Sequence, residues 1–325
     1  MPPILEVTNL TKRFGEAVVL RGVNLSAERG TVLGVLGPNG AGKTTAINCL
    51  TTLLVPDGGQ ATVAGYDVVE EPAAVRSLIG LTGQFAAVDE ALTARENLVL
   101  FGRLLRLKRG AANRRADELL TQFELTEAAN RPVKTFSGGM RRRLDLAASI
   151  VVSPLVLFLD EPTTGLDPRS RQQLWTVVKE LKSQGITIVL TTQYLEEADA
   201  LADRIVVIDR GQVIAEGTVD ELKDRVGGRF CELRLESAAD LESVKIVLGE
   251  LGFDYALSEK DKALQPAGGE PTGEGRTLAV PAPDGAKTLT EIVLTLEREG
   301  IVLEDISLRR PSLDDVFFAL TGHTT

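Results

Sequence analysis

An apolar run that leads into a glycine-rich turn constrains this chain more than any other segment. Residues 31–36 (TVLGVL) predict a buried strand, and a helix is expected to start at Lys43. Between them, residues 37–44 (GPNGAGKT) have the spacing of a phosphate-binding P-loop. Its glycines allow successive backbone N–H groups to surround phosphate oxygens, and the helix N-terminus adds partial positive charge. The segment therefore predicts an α/β fold that binds nucleotide phosphates.

The side chains of this loop predict separate contacts with ATP and Mg²⁺. Lys43 is expected to reach the β- and γ-phosphates, and the Thr44 hydroxyl is expected to bind Mg²⁺. Thr45 adds a further donor at the phosphates. The complete set of expected phosphate contacts is Gly37, Pro38, Asn39, Gly40, Ala41, Gly42, Lys43, Thr44 and Thr45. A glycine-rich turn without a ligand is the alternative.

A second apolar strand, predicted over 155–159, is followed by two adjacent carboxylates. Successive side chains of a strand point to opposite sides, so Asp160 and Glu161 are expected to have different roles if the strand geometry persists. Asp160 is placed to hold Mg²⁺, directly or through water, and Glu161 to polarise the water that attacks the γ-phosphorus. The alternative is a solvated turn at the end of a strand.

A second loop ahead of a predicted helix, SGGM at 137–140, predicts another anion site in the same chain. One nucleotide does not need both sites in cis. With the motifs above, FSGGM resembles the signature loop of the ABC ATPases, and residues 1 to about 220 resemble their nucleotide-binding domain. The resemblance implies that Ser137, Gly138 and Gly139 contact the γ-phosphate of ATP on the opposing subunit. A head-to-tail homodimer would then contain two composite sites.

The same resemblance gives roles to three further residues. Phe14 is implied to stack on adenine, with a core position as the alternative. Gln84 is implied to contact Mg²⁺ and the attacking water and to join the core to a helical insert; a surface amide is the alternative. Asp167 is implied to couple the two sites across the dimer interface, and a plain turn is the alternative.

One position departs from the ABC family. After the strand predicted over 186–191, where most members have a histidine that contacts the γ-phosphate, this chain has Gln193. Its only histidine, His323, lies in the C-terminal tail. A glutamine amide can donate to a phosphate oxygen, but it cannot carry positive charge or exchange a proton near neutral pH. Recognition of the γ-phosphate is expected to survive, while the hydrolysis rate and the alternative of a non-hydrolysing sensor stay open.

Four segments narrow the resemblance to one subfamily. They are TTQYLEEAD, TGQFAAVDEALTARENL, FSGGMRRRLDLAASI and LRRPSLDDVFFALTG. Together they resemble the daunorubicin-resistance ATP-binding proteins of antibiotic-producing actinobacteria. This resemblance implies an ATP-hydrolysing subunit that powers drug efflux through a separate integral membrane permease. The alternatives are a subunit that exports lipid or polysaccharide, and a soluble ABC ATPase that regulates a process other than transport.

The order of predicted elements indicates two domains. Residues 1–226 are expected to form an α/β P-loop NTPase domain of the ABC type, with a helical insert at about 88–150. Residues 227–325 show a βαβ pattern that occurs twice, which predicts a small ferredoxin-like α+β domain. The Gly/Pro-rich stretch 265–275 is expected to be a mobile loop between its halves, and a last helix is expected from Ser312.

Charge and hydropathy limit the partners. With 46 acidic and 36 basic side chains the net charge is −10, so nucleic acid is not expected to bind. The apolar runs are strand-length, well short of the roughly 20 residues that span a bilayer, and residues 1–10 do not resemble a secretory signal. Two distant cysteines, Cys49 and Cys231, fit a reducing compartment. The chain is therefore expected to lie at the cytoplasmic side of the cell membrane as a peripheral subunit.

A basic run lies in the predicted helical insert. Its members are Arg103, Arg106, Lys108, Arg109, Arg114 and Arg115. A solvated helix face is the favoured interpretation, and contact with anionic lipid headgroups or with the membrane partner is the alternative.

Overall fold

The computed structural model describes most of the chain in two compact units, Met1–Val219 and Asp220–Thr325. The sequence prediction placed this division later, after residue 226. The described residues are 2–83, 87–226, 229–237, 240–253, 256–257, 277–310, 312–313 and 316–317.

The first unit contains ten strands and seven α-helices within its described residues. The strands are β1 (Leu5–Phe14), β2 (Ala17–Ala27), β3 (Val32–Leu36), β4 (Gly58–Val63), β5 (Tyr66–Asp67), β6 (Ile79–Thr82), β7 (Val156–Asp160), β8 (Thr187–Thr192), β9 (Arg204–Asp209) and β10 (Gln212–Gly217). The helices are α1 (Lys43–Leu50), α2 (Pro72–Leu78), α3 (Ala94–Leu104), α4 (Arg109–Gln122), α5 (Gly138–Ser149), α6 (Pro168–Ser183) and α7 (Leu195–Leu201).

A six-stranded sheet with the order β10-β9-β3-β8-β7-β6 is the centre of this unit. All neighbours pair in parallel except β9 and β10. Every residue of β3, β7 and β8 is buried, as expected of parallel strands that are covered on both faces. Because parallel strands end at the same edge, the loops that follow β3, β7 and β8 lie side by side. A second sheet, β2-β1-β4-β5, is antiparallel.

Helices α3, α4 and α5 occupy the segment that was predicted to be helical. A reciprocal pair of hydrogen bonds fixes the start of α3: Thr93 N–H donates to Glu96 Oε2 (2.8 Å), and Glu96 N–H donates to Thr93 Oγ1 (3.2 Å). Trp175 on α6 is buried at 8% exposure, and its Nε1 donates to buried Glu197 at 3.1 Å. Burial raises the pKa of the Glu197 carboxyl.

The second unit has the strand order of a ferredoxin-like fold. Its elements are α8 (Val219–Val226), β11 (Phe230–Leu235), α9 (Leu241–Glu250), β12 (Ala256–Leu257), β13 (Thr277–Pro281), α10 (Ala286–Arg298) and β14 (Leu303–Arg309). The sheet order is β12-β13-β11-β14, and every pair is antiparallel, which is the arrangement that the repeated βαβ pattern predicted. The stretch 265–275 lies outside the described residues, and of the expected last helix only 312–313 and 316–317 are described.

Candidate nucleotide-binding site

The P-loop joins β3 to α1, and at two of its glycines a side chain would clash with neighbouring atoms. A Cβ at Gly37 would overlap the carbonyl oxygen of Ile208. Gly42 has a φ of +106°, and a Cβ there would lie 2.8 Å from the Leu20 side chain. Gly42 is also the N-cap of α1 and offers no side-chain acceptor, so the N–H groups of the first turn stay free for an anion.

Lys43 is held at the floor of this loop. Its side chain is 4% exposed, and its Nζ donates to the carbonyl oxygens of Gly37 (2.8 Å) and Pro38 (3.1 Å). The same Nζ lies 3.2 Å from Glu161 Oε1. Residues of the loop and its neighbours line one pocket: Val19, Asn39, Gly40, Gly42, Lys43, Thr44, Thr45 and Glu161. A buried cation beside free N–H groups fits the phosphates of a nucleotide.

Thr44 lines this pocket, and together with its hydrogen-bond partner Asp160 it offers oxygen atoms that fit a magnesium ion. Thr44 Oγ1 donates to Asp160 Oδ1 at 3.2 Å, and Thr191 Oγ1 donates to the same oxygen at 2.5 Å. Asp160 is buried at 4% exposure. A carboxylate and a hydroxyl next to a phosphate pocket are hard oxygen ligands of the kind that Mg²⁺ uses.

Glu161 leaves the strand in a left-handed turn. Strand β7 ends at Asp160, and Glu161 has a φ of +46°, which is uncommon for a residue with a side chain. Its N–H donates to Thr191, to Oγ1 at 3.0 Å and to the carbonyl oxygen at 3.2 Å. The strand geometry therefore does not persist through the carboxylate pair, and a turn fixed by β8 directs Glu161 towards Lys43.

The signature loop lies at the start of α5, and none of its residues lines the P-loop pocket. Ser137 is the N-cap of α5, and its Oγ accepts a hydrogen bond from Met140 N–H at 3.2 Å. Ser137 and Gly138 are exposed, while Gly139 is buried. A Cβ at Gly139 would overlap the side chain of Ser170, which explains the requirement for glycine there.

Asp167 lies next to the signature loop through that same serine. It is the N-cap of α6, where its carboxylate accepts hydrogen bonds from Ser170 N–H (3.0 Å) and Ser170 Oγ (2.6 Å). These bonds lower the pKa of Asp167 below its ordinary value. The two loops that were expected to face another subunit are therefore neighbours.

Phe14 and Gln193 lie at the margin of the site. Phe14 ends β1 and is 48% exposed, with Lys12 Nζ 5.7 Å from the centre of its ring. Gln193 follows β8, next to the start of the P-loop, where Gly37 N–H donates to the Thr192 carbonyl oxygen at 3.4 Å. The Gln193 side chain is half-buried and makes no hydrogen bond with the described residues.

Gln84 lies outside the described residues. Gly83 and Ala87, the described residues that flank it, are held by two charged side chains of α5 that the sequence analysis did not identify. Arg142 donates to the carbonyl oxygen of Gly83 at 2.6 Å, and Asp145 Oδ1 accepts from Ala87 N–H at 2.7 Å. Arg142 and Asp145 are both buried, and their charged groups lie 3.7 Å apart. Burial lowers the pKa of Arg142 and raises that of Asp145.

Arg142 also contacts the loop that carries Glu161. Its Nε donates to the Pro162 carbonyl oxygen at 2.7 Å and its second Nη to that of Asp160 at 3.2 Å. One side chain of the signature helix therefore fixes the backbone before Gln84 and on both sides of Glu161. The signal in the sequence was the pair of opposite charges at i and i+3 on the signature helix, Arg142 and Asp145.

Comparison with known proteins agrees with this geometry. Residues 20–164 match the ABC transporter family. The chain is 54% identical over 318 residues to a daunorubicin resistance ATP-binding protein of Streptomyces coeruleorubidus, covering 97% of this chain and 94% of the relative. The chain belongs to the ABC transporter ATP-binding proteins.

Two further comparisons support this family assignment. A doxorubicin resistance ATP-binding protein of Mycobacterium tuberculosis is 53% identical over 321 residues, covering 98% of this chain and 94% of that protein. A dimeric ATP-binding cassette in a post-hydrolysis state with ADP and phosphate is 27% identical, with a TM-score of 0.60, and covers 66% of this chain and 98% of that one.

These comparisons confirm the predicted resemblance to the daunorubicin-resistance subfamily, the P-loop NTPase fold and the assignment as an ATPase. As an ABC ATP-binding protein, the chain binds nucleotide. Among the residues that the structure describes, no helix combines the length and apolar character needed to cross a membrane.

Proposed function

We propose that this ABC ATPase powers drug efflux as a head-to-tail homodimer at the cytoplasmic face of the membrane, bound to a separate permease. One observation carries the proposal: the Glu161 carboxylate lies 3.2 Å from Lys43 Nζ, inside the phosphate pocket. A carboxylate next to the cation that is expected to hold the γ-phosphate is placed to accept a proton from the attacking water. The resistance named for the two relatives supports a drug as the exported substrate.

The pocket residues supply binding and proton transfer in this proposal. The P-loop N–H groups and Lys43 hold the phosphates, and the expected contacts of Asn39 and Thr45 fall in the same pocket. Asp160 and Thr44 would hold Mg²⁺, which would neutralise phosphate charge and polarise the phosphoryl group. Glu161 takes the proton of the attacking water.

The second half of each site is proposed to come from another subunit. Ser137 and Gly138 are exposed, and no residue of the α5 N-terminus lines the P-loop pocket. The dimeric cassette among the similar structures supports an assembly of two such chains. We propose that Ser137, Gly138 and Gly139 reach the γ-phosphate of the opposing subunit and that Asp167 couples the two sites.

Three further positions have proposed roles of smaller weight. Exposed Phe14 is available to stack on adenine. Gln193 is available to donate to the γ-phosphate from the end of β8. Gln84 would contact Mg²⁺ and the attacking water, and it would couple nucleotide binding at the site to the helical insert.

The proposal is tested with inside-out membrane vesicles that contain this chain, with and without its permease. We expect ATP-dependent accumulation of doxorubicin only when both proteins are present. The matched control is Glu161→Gln with the same permease, which should bind ATP and accumulate no drug.

Accumulation by the permease with Glu161→Gln at the wild-type rate would reject Glu161 as the catalytic base. ATP hydrolysis that responds to the permease but to no drug would keep the ATPase and reject drug efflux.

A further inference from the structure

The tip of the helical insert has a charge opposite to that of the chain as a whole. Residues 97–116 contain six cationic and no acidic side chains, although the net charge of the chain is −10. Four of these cations are exposed and form no ion pair within the part of the chain that the structure describes: Arg106, Lys108, Arg109 and Arg114. The positive charge of this surface is therefore not balanced locally.

Exposed leucines adjoin these cations. Leu100 is 41% exposed, Leu104 68% and Leu105 48%. Leu100 and Leu104 are one turn apart and share a face of α3. The surface formed by the three leucines and the four unpaired cations is called the basic tip below. Arg103 closes the turn beneath it, because its guanidinium donates to the Leu107 carbonyl oxygen at 2.7 Å.

Three cations of the basic tip, Lys108, Arg109 and Arg114, do not stabilise the helix at whose start they lie; Arg106 lies in the loop before it. Lys108 is the N-cap of α4 and Arg109 its first residue, and the first turn contains no acidic side chain. The Arg114 guanidinium folds back towards Gly110 in that turn. Because a helix N-terminus carries partial positive charge, cations there are unfavourable. Their placement concentrates positive charge that an external anion would offset.

We propose that the basic tip binds the anionic headgroups of a phospholipid bilayer and that its leucines enter the interfacial layer. This inference rests on the proposed location of the chain beside a membrane permease. Exposed cations together with exposed apolar side chains are the composition of interfacial binding surfaces. A permease is a poorer match, since the cytoplasmic loops of membrane proteins carry an excess of Lys and Arg, which would repel this surface.

The expected strength follows from the number of charges. Each Lys or Arg near an anionic surface contributes about fivefold to the binding constant. Four cations should therefore raise the binding constant for an anionic surface by more than about a hundredfold at low salt. The Debye length falls from about 8 Å at physiological ionic strength to about 3 Å at 1 M, so high salt should remove most of this gain.

The experiment measures sedimentation of the full chain with lipid vesicles. One set contains phosphatidylglycerol and phosphatidylcholine, and the other contains phosphatidylcholine alone. Wild type is expected to bind the anionic vesicles at least about a hundredfold more tightly at low salt, with loss of this preference at high salt. The charge variant carries Arg106→Gln, Lys108→Gln, Arg109→Gln and Arg114→Gln together, and it should lose about a hundredfold. Leu104→Ser with Leu105→Ser should lose severalfold and keep its salt dependence.

A matched control removes the same number of exposed cations elsewhere: Arg21→Gln, Arg29→Gln, Lys179→Gln and Arg210→Gln. It should bind anionic vesicles like wild type. ATP binding, measured on the same preparations, shows that each variant is folded. ATP hydrolysis, measured on the same preparations, separates failure of this inference from failure of the proposed function. A chain that hydrolyses ATP and does not bind vesicles would reject only the lipid-binding surface.

Three outcomes would overturn the inference. Wild type could bind neither vesicle type, it could bind both equally, or the charge variant could bind as well as wild type. Absence of vesicle binding, together with loss of binding to permease-containing membranes in the charge variant, would assign the basic tip to the permease instead.

Discussion

Two helices of the first unit, α1 and α5, have glycines at their starts, and their surroundings differ. At α1 the N-cap is Gly42, which has no acceptor, and buried Lys43 and Glu161 complete a pocket within one chain. At α5 the N-cap is Ser137, which uses its own Oγ to accept from the helix, and the loop is exposed. The first helix start has its charged partners in cis, and the second does not.

This difference determines whether the N-terminus of each helix can bind an anion within a single chain. A start with free N–H groups and a buried cation can bind phosphate within one chain. A capped and exposed start can add contacts only to an anion that another chain brings. Ser137 Oγ accepts from Met140 N–H, which leaves its hydroxyl hydrogen available as a donor. The comparison predicts that changes at the P-loop and at the signature loop affect different steps.

The largest expected effect is in the P-loop pocket, at Glu161. Glu161→Gln should lower ATP hydrolysis by about 10²- to 10⁴-fold, because an amide cannot accept the proton of the attacking water. Lys43 keeps its bonds to Gly37 and Pro38, so ATP binding should change little. Steady-state turnover and equilibrium ATP binding check this pair of results. Turnover near the wild-type rate would contradict the assignment of the base.

The signature loop provides the contrasting variant. Gly138→Asp should fold, since the nearest atom to a Cβ there is 4.0 Å away on Leu166 and a carboxylate is favourable at a helix N-terminus. The new charge would repel the γ-phosphate of the opposing subunit and lower hydrolysis by about a hundredfold. ATP binding by the isolated chain should be unchanged. Gly138→Ala is the matched control and should retain most activity; a similar loss in both variants would indicate a packing effect.

Arg142 lies on the signature helix and contacts the loop that carries Glu161, so its replacement should affect both regions. Arg142→Gln should lower kcat by about 30-fold with little change in KM, because the backbones around Gln84 and Glu161 lose their anchor. It should also lower the free energy of unfolding by about 3 kcal/mol, since Asp145 is left buried without its cation.

Arg141→Gln is the matched control for Arg142→Gln, since Arg141 pairs with Glu90 at the surface. Addition of Asp145→Asn to Arg142→Gln should recover part of the stability but not the activity. Recovery of both would show a structural role alone.

The smallest expected effect is at Gln193. Gln193→Ala should lower hydrolysis by about tenfold, because a donor to a charged phosphate oxygen is lost. Gln193→His keeps a donor and should remain within a few-fold of wild type. Steady-state rates at saturating ATP decide the order, and a faster alanine variant would refute the proposed contact.

The parts of the site that the sequence predicted are those that a short segment determines by itself. The buried strand, the glycines and Lys43 are consecutive, so their spacing alone identifies the P-loop. The order of the second unit followed in the same way from alternating helix and strand patterns. Its strand register did not, because register depends on pairing between distant segments.

Other parts of the site depend on contacts between distant segments. Thr191 forms hydrogen bonds with both Asp160 and Glu161 from a neighbouring strand. The sequence around Thr191 predicts only that it belongs to a strand. The positive φ of Glu161 is rare for its residue type, so no propensity predicts it. Arg142 bonds to backbone carbonyl oxygens, which leave no trace in the identity of the residues that carry them.

The most direct test of the central claim, that each ATP is held by the P-loop of one chain and the signature loop of another, is the mass of the chain in solution with ATP. Light scattering on Glu161→Gln should give a dimer with ATP and a monomer without it. Glu161→Gln with Gly138→Asp should still bind ATP and should remain a monomer. A monomer in the first case, or a dimer in the second, would contradict the account.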